Sequence, residues 1–397
     1  MLIMLLVFTT TFLAYSNGAN DNFKGVATLY GSGTLSYKSA ITIATITTFI
    51  GSIAAIFLAQ GLVESFSGKG LVPAEVAGTA SFLIATGLGA GITVLLATRL
   101  SFPISTTHSL VGGLLGAGIA AVGMQVNFQQ LGSAFFFPLM ASPFIAFVLG
   151  MIVYWFFNHT RRRLKQSKKV GLLLNEQKQF VPINLSNNGT ESAQQTFMQQ
   201  SYSQQKHNKQ QYQQSMLMTK PLINKPREIA KHTSSLDIDT GKACDLLNQK
   251  RLDAAHLVSG AAVSFARGLN DTPKIAGLLV AAKTVDINLG MVAIAIGMAI
   301  GGLLNARRVA ETMSKKITVL NSGQGFSANL VTSFLVIVAS KFGVPVSTTH
   351  VSVGAIFGIG MLSKKRDNKV IQSIILSWIM TLPVAMIFSA IIYHFIA

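Results

Sequence analysis

The hexapeptide Pro103-Ile104-Ser105-Thr106-Thr107-His108 returns later in the chain as Pro345-Val346-Ser347-Thr348-Thr349-His350. The offset, 345 − 103 = 242, holds downstream, where Val111, Gly112, Gly116 and Gly118 match Val353, Gly354, Gly358 and Gly360. Nine of the sixteen positions from 103 to 118 are identical, and most of the nine are polar, Gly or Pro. Apolar segments that resemble one another by chance share Leu, Ile, Val and Ala instead. The chain is therefore an internal duplication, and a repeat limits the architecture before any local reading does.

What each half contains follows from hydropathy. Only 12% of the 397 residues are charged, about half the roughly 25% of a soluble domain. Apolar segments lie near 2–30 (interrupted at 17–24), 39–60, 76–98, 103–123 and 131–157, and again near 253–282, 286–304, 318–340, 345–362 and 370–396. About 20 such residues cross a hydrocarbon layer of about 30 Å. The expected fold is an all-α, multi-pass integral membrane protein of two repeats, 1–157 and 251–397, joined by a polar linker, 158–250. That linker is rich in Gln, Asn, Ser and Lys and buries too little apolar surface to fold, so it is expected to be largely disordered. The formal charge of +18 does not point to nucleic acid, because the basic residues are concentrated in the linker and in loops between apolar runs. The single cysteine, Cys244, excludes an intramolecular disulfide. The apolar start, Met1–Ala14, lacks a basic leader region and is read as mature sequence.

Lys and Arg set the orientation. Arg161, Arg162, Arg163, Lys165, Lys168 and Lys169 place the linker in the cytoplasm. With one crossing per segment, Arg307, Arg308, Lys315, Lys316, Lys364, Lys365, Arg366, Lys369, Arg99 and Lys38 all fall on that side as well. Five crossings per half is an odd number, so the halves are expected upside down to one another, the inverted repeat of many secondary transporters, with discontinuous helices at the midplane.

Two constellations carry the chemistry. In Pro103–His108 and its twin, proline precedes hydroxyl residues and then a helical run. Proline suits a helix start, Ser and Thr cap one, and the free amides and dipole of a helix that begins inside a membrane attract an anion. Ser105, Thr106, Thr107, Ser347, Thr348 and Thr349 are thus the candidate oxyanion ligands. The second constellation is Gly18-Ala19-Asn20-Asp21-Asn22-Phe23-Lys24, which returns as Gly268-Leu269-Asn270-Asp271-Thr272-Pro273-Lys274. An aspartate at bilayer depth is costly unless it faces a cavity or a cation. Asn, Asp and Gly favour a break in the helix, so Asn20 and Asn270 join the candidate substrate ligands. Asp21 and Asp271, with Lys24 and Lys274, become candidate cation-handling residues, sodium being a possible ion at the aspartates. Glu64 and Glu311 occupy like places in the two halves and serve either cation handling or a solvated loop. His108 and His350 either meet substrate and protons or pack helices together.

G-x-N-D early and P-x-S-T-T-H late in each half resemble the inorganic phosphate transporter family. The stretch from Arg308-Val309-Ala310-Glu311-Thr312 through Gly323-Gln324-Gly325-Phe326 to His350 is similar to that family's second half. The likeness covers both membrane halves and leaves the linker out. It implies a cation-coupled symporter of inorganic phosphate in the plasma (inner) membrane, an inverted repeat, a homodimer, a cytoplasmic central loop and both termini outside. It implies no cofactor and no catalysis, with sodium or the proton as coupling ion.

Where the family commonly continues N-D-V-A-N, this chain has Lys24 and Lys274, and Arg267 stands where relatives often carry another residue. A spacing of three sets each ammonium near its aspartate. Weaker dependence on sodium is therefore expected, with protons or a site near Glu64 and Glu311 as the drive. The alternative is that both lysines snorkel to the surface and leave sodium coupling intact. Sulfate on the same fold is the alternative substrate. An intramembrane hydrolase is disfavoured, since neither G-x-S-x-G nor H-E-x-x-H occurs.

The orientation is checked by labelling. With Cys244 replaced, a cysteine at Gln200 reacts with impermeant reagents from the cytoplasmic side and one at Asn127 from the outside; reaction of both from one face contradicts the count. Deleting about 50 residues of the linker, 185–235, leaves transport intact, and a correctly inserted but inactive deletion contradicts that expectation.

Overall fold

The computed structural model describes residues 2–178, 235–281, 286–316, 320–363 and 368–397. Ten helices carry the architecture, five in each half: α1 Leu2–Asp21, α2 Tyr37–Leu58, α3 Ala80–Arg99, α4 Thr106–Val122, α5 Phe137–Lys178, α6 Ser235–Ala281, α7 Ile287–Asn305, α8 Ser322–Lys341, α9 Thr348–Ser363 and α10 Asn368–Ile396. Among the described residues, eight helical stretches are long and apolar enough to cross a membrane. The other two of the ten expected crossings correspond to α6, which carries Arg267, Asp271 and Lys274 within its apolar part, and α9, only 16 residues long.

Polar side chains at the helix ends take up amides that lack an intrahelical acceptor. Ser36 accepts from the Ser39 amide at 3.2 Å, and Asp286 from that of Leu289 at 2.9 Å. Asn321 and Gln324 form a reciprocal capping box at the start of α8. Outward-facing side chains are apolar, as lipid requires: Phe8, Phe57, Phe144, Phe334 and Phe395 are all exposed.

The first expected break is present. α1 stops at Asp21, a short 3₁₀ turn spans Lys24–Val26, and a brief helix, Ala27–Gly31, follows. The second is not: α6 runs helically through Gly268–Lys274 with Pro273 inside it. Proline removes one backbone hydrogen bond from the ladder, and that local loss stands where the first copy has a full interruption. The polar segment also begins and ends as helix, since α5 extends to Lys178 and α6 starts at Ser235. Residues 179–234, which hold most of the linker read as disordered, lie outside the described residues. The chain divides into one compact unit of 1–162 with 245–397 and a second of 163–244.

Within the first unit the glycines record how the halves meet. Gly18 of α1 lies against the Met298 carbonyl of α7, and its counterpart Gly268 of α6 lies against the Thr48 carbonyl of α2. Gly301 of α7 faces the carbonyl of Tyr15, and Gly51 of α2 that of Phe265. In each case the exchanged residues differ by one offset: 268 − 18, 298 − 48, 301 − 51 and 265 − 15 all equal 250. Later in the chain Gly112 and Gly116 of α4 pack on Leu382 and Met386 of α10, and Gly354 and Gly358 of α9 on Pro143 and Phe147 of α5. Contacts that recur with the partners exchanged are the mark of a two-fold relation. Each half therefore places its first helix on the other's second and its fourth on the other's fifth. Small residues make this possible, because association in lipid depends on close backbone approach.

A Cβ at Gly301 or Gly51 would overlap a carbonyl oxygen of the opposite helix, and overpacking of this kind costs about 1–3 kcal/mol. Gly301→Val and Gly51→Val should each lower the thermal stability of the detergent-purified protein by several degrees. Gly132→Ala, where nothing lies within 4 Å, should leave it unchanged. Equal melting of all three contradicts the packing.

Candidate functional site

The helix starts of α4 and α9 come together with the two aspartate segments in one buried cluster. Asp21, Lys24, Arg267, Asp271 and Lys274 are each at most 3% exposed. Bare charges in such a place cost several kcal/mol apiece unless paired and hydrogen-bonded, and the pairing here is dense. Lys24 Nζ lies 2.5 Å from Asp21 Oδ1, and Lys274 Nζ lies 3.5 Å from Asp271 Oδ1. Neither lysine snorkels to the surface.

Each ammonium reaches into both halves. Lys24 donates to the Ile104 carbonyl at 2.7 Å and to the Thr349 hydroxyl of the other half. Lys274 donates to the Val346 carbonyl at 2.6 Å and to the Thr107 hydroxyl at 2.8 Å. Thr349 and Thr107 in turn donate to the carbonyls of Ile104 at 2.9 Å and Val346 at 3.3 Å. The two arrangements are the same set of contacts with the halves exchanged. Around each nitrogen stand a carboxylate, a backbone carbonyl and a hydroxyl.

The remaining candidate ligands take distinct places. Ser105 and Ser347 cap α4 and α9, accepting from the amides of His108 at 3.1 Å and His350 at 3.3 Å. Thr106 donates to Asp21 Oδ2 at 3.2 Å. Thr348 accepts from Asn270 at 3.1 Å. Asn20 accepts from the Ile104 amide at 3.1 Å and donates to Thr98 at 2.9 Å, and so holds the segment before α4 in place. Asn270 donates to the Val346 carbonyl at 3.2 Å and accepts from Ser340 at 3.3 Å, the same role in the other half.

The symmetry also fails at a further pair. Offset by 250, Asn17 of α1 corresponds to Arg267 of α6, and the two touch: Arg267 Nη2 donates to Asn17 Oδ1 at 2.6 Å. Arg267 also donates to Asn22 at 2.9 Å, and its Nε lies 3.6 Å from Asp271 Oδ2. Asn17 donates to Thr106 at 3.0 Å and to Asp271 at 3.2 Å, bridging both halves. The cluster thus sets three cationic side chains against two carboxylates. Asn17 did not stand out in the motifs. Its signals were the spacing of four to Asp21 and its alignment with Arg267.

Glu64 and Glu311 are not part of this cluster. Glu64 is exposed on the short helix Gln60–Ser65, and Glu311 is half exposed, 3.6 Å from Arg307. His108 and His350 meet each other, ring centroids 4.4 Å apart, and His350 stacks on Trp378 at 3.8 Å. Both directly follow the hydroxyl residues in sequence and line an apolar groove with Phe144, Phe357 and Trp378.

Comparison with known proteins gives one consistent answer. Chains described as "Putative phosphate permease" match along nearly their whole length. One from Pyrococcus abyssi is 26% identical, covering 96% of this chain and 94% of its own. Another, from Haemophilus influenzae, is 28% identical with the same coverage. A solved structure, "The sodium-dependent phosphate transporter", shares the fold with a TM-score of 0.72 at 24% identity, over 99% of this chain and 98% of that one. The model of the phosphate transporter family matches residues 17–389, a span that takes in both helix starts, both aspartate segments and Arg267, and this chain belongs to that family.

Proposed function

We propose that the chain is a secondary transporter that carries inorganic phosphate across a membrane by alternating access, with the buried cluster as its substrate site. The observation that carries the reading is the meeting of two hydroxyl-rich helix starts with lysines that cross between halves. A tetrahedral oxyanion needs several donors converging from more than one direction. Thr106, Thr107, Thr348 and Thr349, the amides of two helix starts and the excess of cationic side chains supply them. The relatives' names speak of phosphate, which supports this anion over sulfate. Halves related by exchanged contacts, with odd numbers of crossings, suit an inverted pair in which one arrangement of the bundle turns into its mirror role by rocking. The basic loops put the linker in the cytoplasm.

In this resting arrangement the lysines are satisfied by protein oxygens. Phosphate entry then exchanges contacts already made: the ammonium groups turn from the Ile104 and Val346 carbonyls to the anion, and the threonine hydroxyls follow. Because the crossing contacts couple the halves, breaking them loosens one half from the other as the anion binds. The same groups bear on coupling. The solved neighbour's name calls it sodium-dependent. Here each aspartate already has an ammonium beside it, within a shell of carboxylate, carbonyl and hydroxyl that would also suit a small hard cation. The lysines supply the positive charge that a bound sodium ion would bring, so the drive comes from protons or from a cation site elsewhere, such as near Glu64 and Glu311.

Two experiments test these statements. Thr106→Val and Thr348→Val should each weaken apparent phosphate affinity about ten- to a hundredfold while the protein still inserts, since a hydrogen bond to a charged group contributes about 1.5–3 kcal/mol; unchanged affinity in both removes the threonines from the site. Uptake measured against sodium concentration should depend weakly on sodium in the wild type and more strongly in the Lys24→Asn, Lys274→Asn double variant. Steep sodium dependence in the wild type, unaffected by the double change, contradicts the role given to the lysines.

A further inference from the structure

A second concentration of cationic groups lies away from the cluster. A cavity of about 470 Å³ is bounded by the end of α3 with Thr98 and Arg99, by the end of α7 with Leu304, and by the short helix Arg307–Glu311 with Arg307, Arg308 and Glu311. Three guanidinium groups face one carboxylate there, and Glu311 lies 3.6 Å from Arg307 Nε. Arg308 is held in place by donating to the Arg99 carbonyl at 3.0 Å. The side chains of Arg307 and Glu311 are 78% and 49% exposed, so the cavity opens to solvent. Its inner wall is Thr98, itself 3% exposed, whose hydroxyl accepts from Asn20 of the buried cluster at 2.9 Å. One threonine therefore has the basic cavity on one side and the cluster on the other.

The repeat gives the comparison that makes this a route. Offset by 242, Thr98 and Arg99 correspond to Ser340 and Lys341, and Ser340 touches Asn270 as Thr98 touches Asn20. The counterpart of Arg307–Glu311 is the short helix Gln60–Ser65. At that position the chain segments approach closely: a Cβ on Gly61 would stand 3.2 Å from the Gly343 Cα, a tight fit. The face with the arginines is the open one.

We propose that this cavity is a second oxyanion site, in which Arg99, Arg307 and Arg308 hold inorganic phosphate at the mouth of the pathway, next to Thr98, on the side that the basic loops assign to the cytoplasm. The proposal rests on the reading of the cluster as a phosphate site, but occupancy of the mouth is measurable without transport. Guanidinium groups suit this ligand because their planar forks match phosphate oxygens. A cleft of one sign also raises local anion concentration. Glu311 keeps the site weak, as a mouth must be if the anion is to move on. A headgroup phosphate of an anionic lipid has the same chemistry, but Thr98, leading to the cluster, favours the free ion.

The test uses the full chain with Cys244→Ser and Leu304→Cys, the latter on the cavity wall, reconstituted in nanodiscs of neutral lipid. Reaction of that cysteine with a small uncharged maleimide is followed as inorganic phosphate is added. Phosphate at millimolar concentration should slow the reaction several-fold, and chloride at matched ionic strength should not. The Arg99→Gln, Arg307→Gln double variant should need roughly tenfold more phosphate for the same effect, as expected when the field of a charged cleft is removed. Arg99→Lys should retain most of the protection. Protection should persist in a Thr106→Val, Thr348→Val background, which separates failure of this site from failure of the buried one. Equal slowing by chloride, or protection that survives the arginine changes, overturns the proposal. Slowing that appears only when anionic lipid is added, with phosphate having no effect, assigns the cavity to a headgroup and overturns it equally.

Discussion

Five ionisable side chains that no water reaches must be neutralised by one another and by hydrogen bonds, and this requirement shapes the centre of the molecule. Asp21, Asp271, Lys24, Lys274 and Arg267 come from the first helix of each half and the turn after it. All but Asp21 draw on partners from both halves, Asp271 through Asn17. Lys24 needs Thr349, Lys274 needs Thr107, and Arg267 needs Asn17 and Asn22. A buried ion pair contributes little net stability against its desolvation, yet loss of one partner is costly. The cluster therefore works as a register device: helix starts, aspartate segments and the exchanged glycine contacts fit together in one alignment.

The same economy explains how the site can serve transport. Under the proposed alternating access, contacts repeated with the halves exchanged would let a structure open on one face have a close relative open on the other. The arginine-lined cavity beside Thr98 and the Gly61–Gly343 contact occupy corresponding places in the two halves. Asn17 and Arg267 break the equivalence. Arg267 adds one cation to an otherwise even balance, which suits the proposed anion site.

Much of this was legible in the sequence because the duplication exposed it. The motifs named Asp21, Lys24, Thr106, Thr107 and their twins, and the structure places all of them in the cluster. Three things were not legible. The break after Asp21 was expected in both copies, but α6 continues through Pro273, because composition cannot tell a kink-tolerant helix from an interrupted one. Glu64 and Glu311 share a place in the repeat, yet that place is exposed in both halves, and Glu311 pairs with Arg307 there. Asn17 carries no distinctive chemistry by itself; its role depends on Arg267, 250 residues away, and only the three-dimensional approach of the halves joins them.

The central claim is that the crossing lysines and paired helix starts form a pathway for phosphate, whatever ion drives it. Counterflow in proteoliposomes tests this most directly, because exchange of labelled for unlabelled phosphate needs no gradient of sodium or protons. Purified chain in vesicles loaded with unlabelled phosphate should accumulate external labelled phosphate far faster than protein-free vesicles, and Asp271→Asn should abolish the difference. Labelled phosphate entering no faster than through lipid alone, with the protein correctly folded and inserted, would contradict the account.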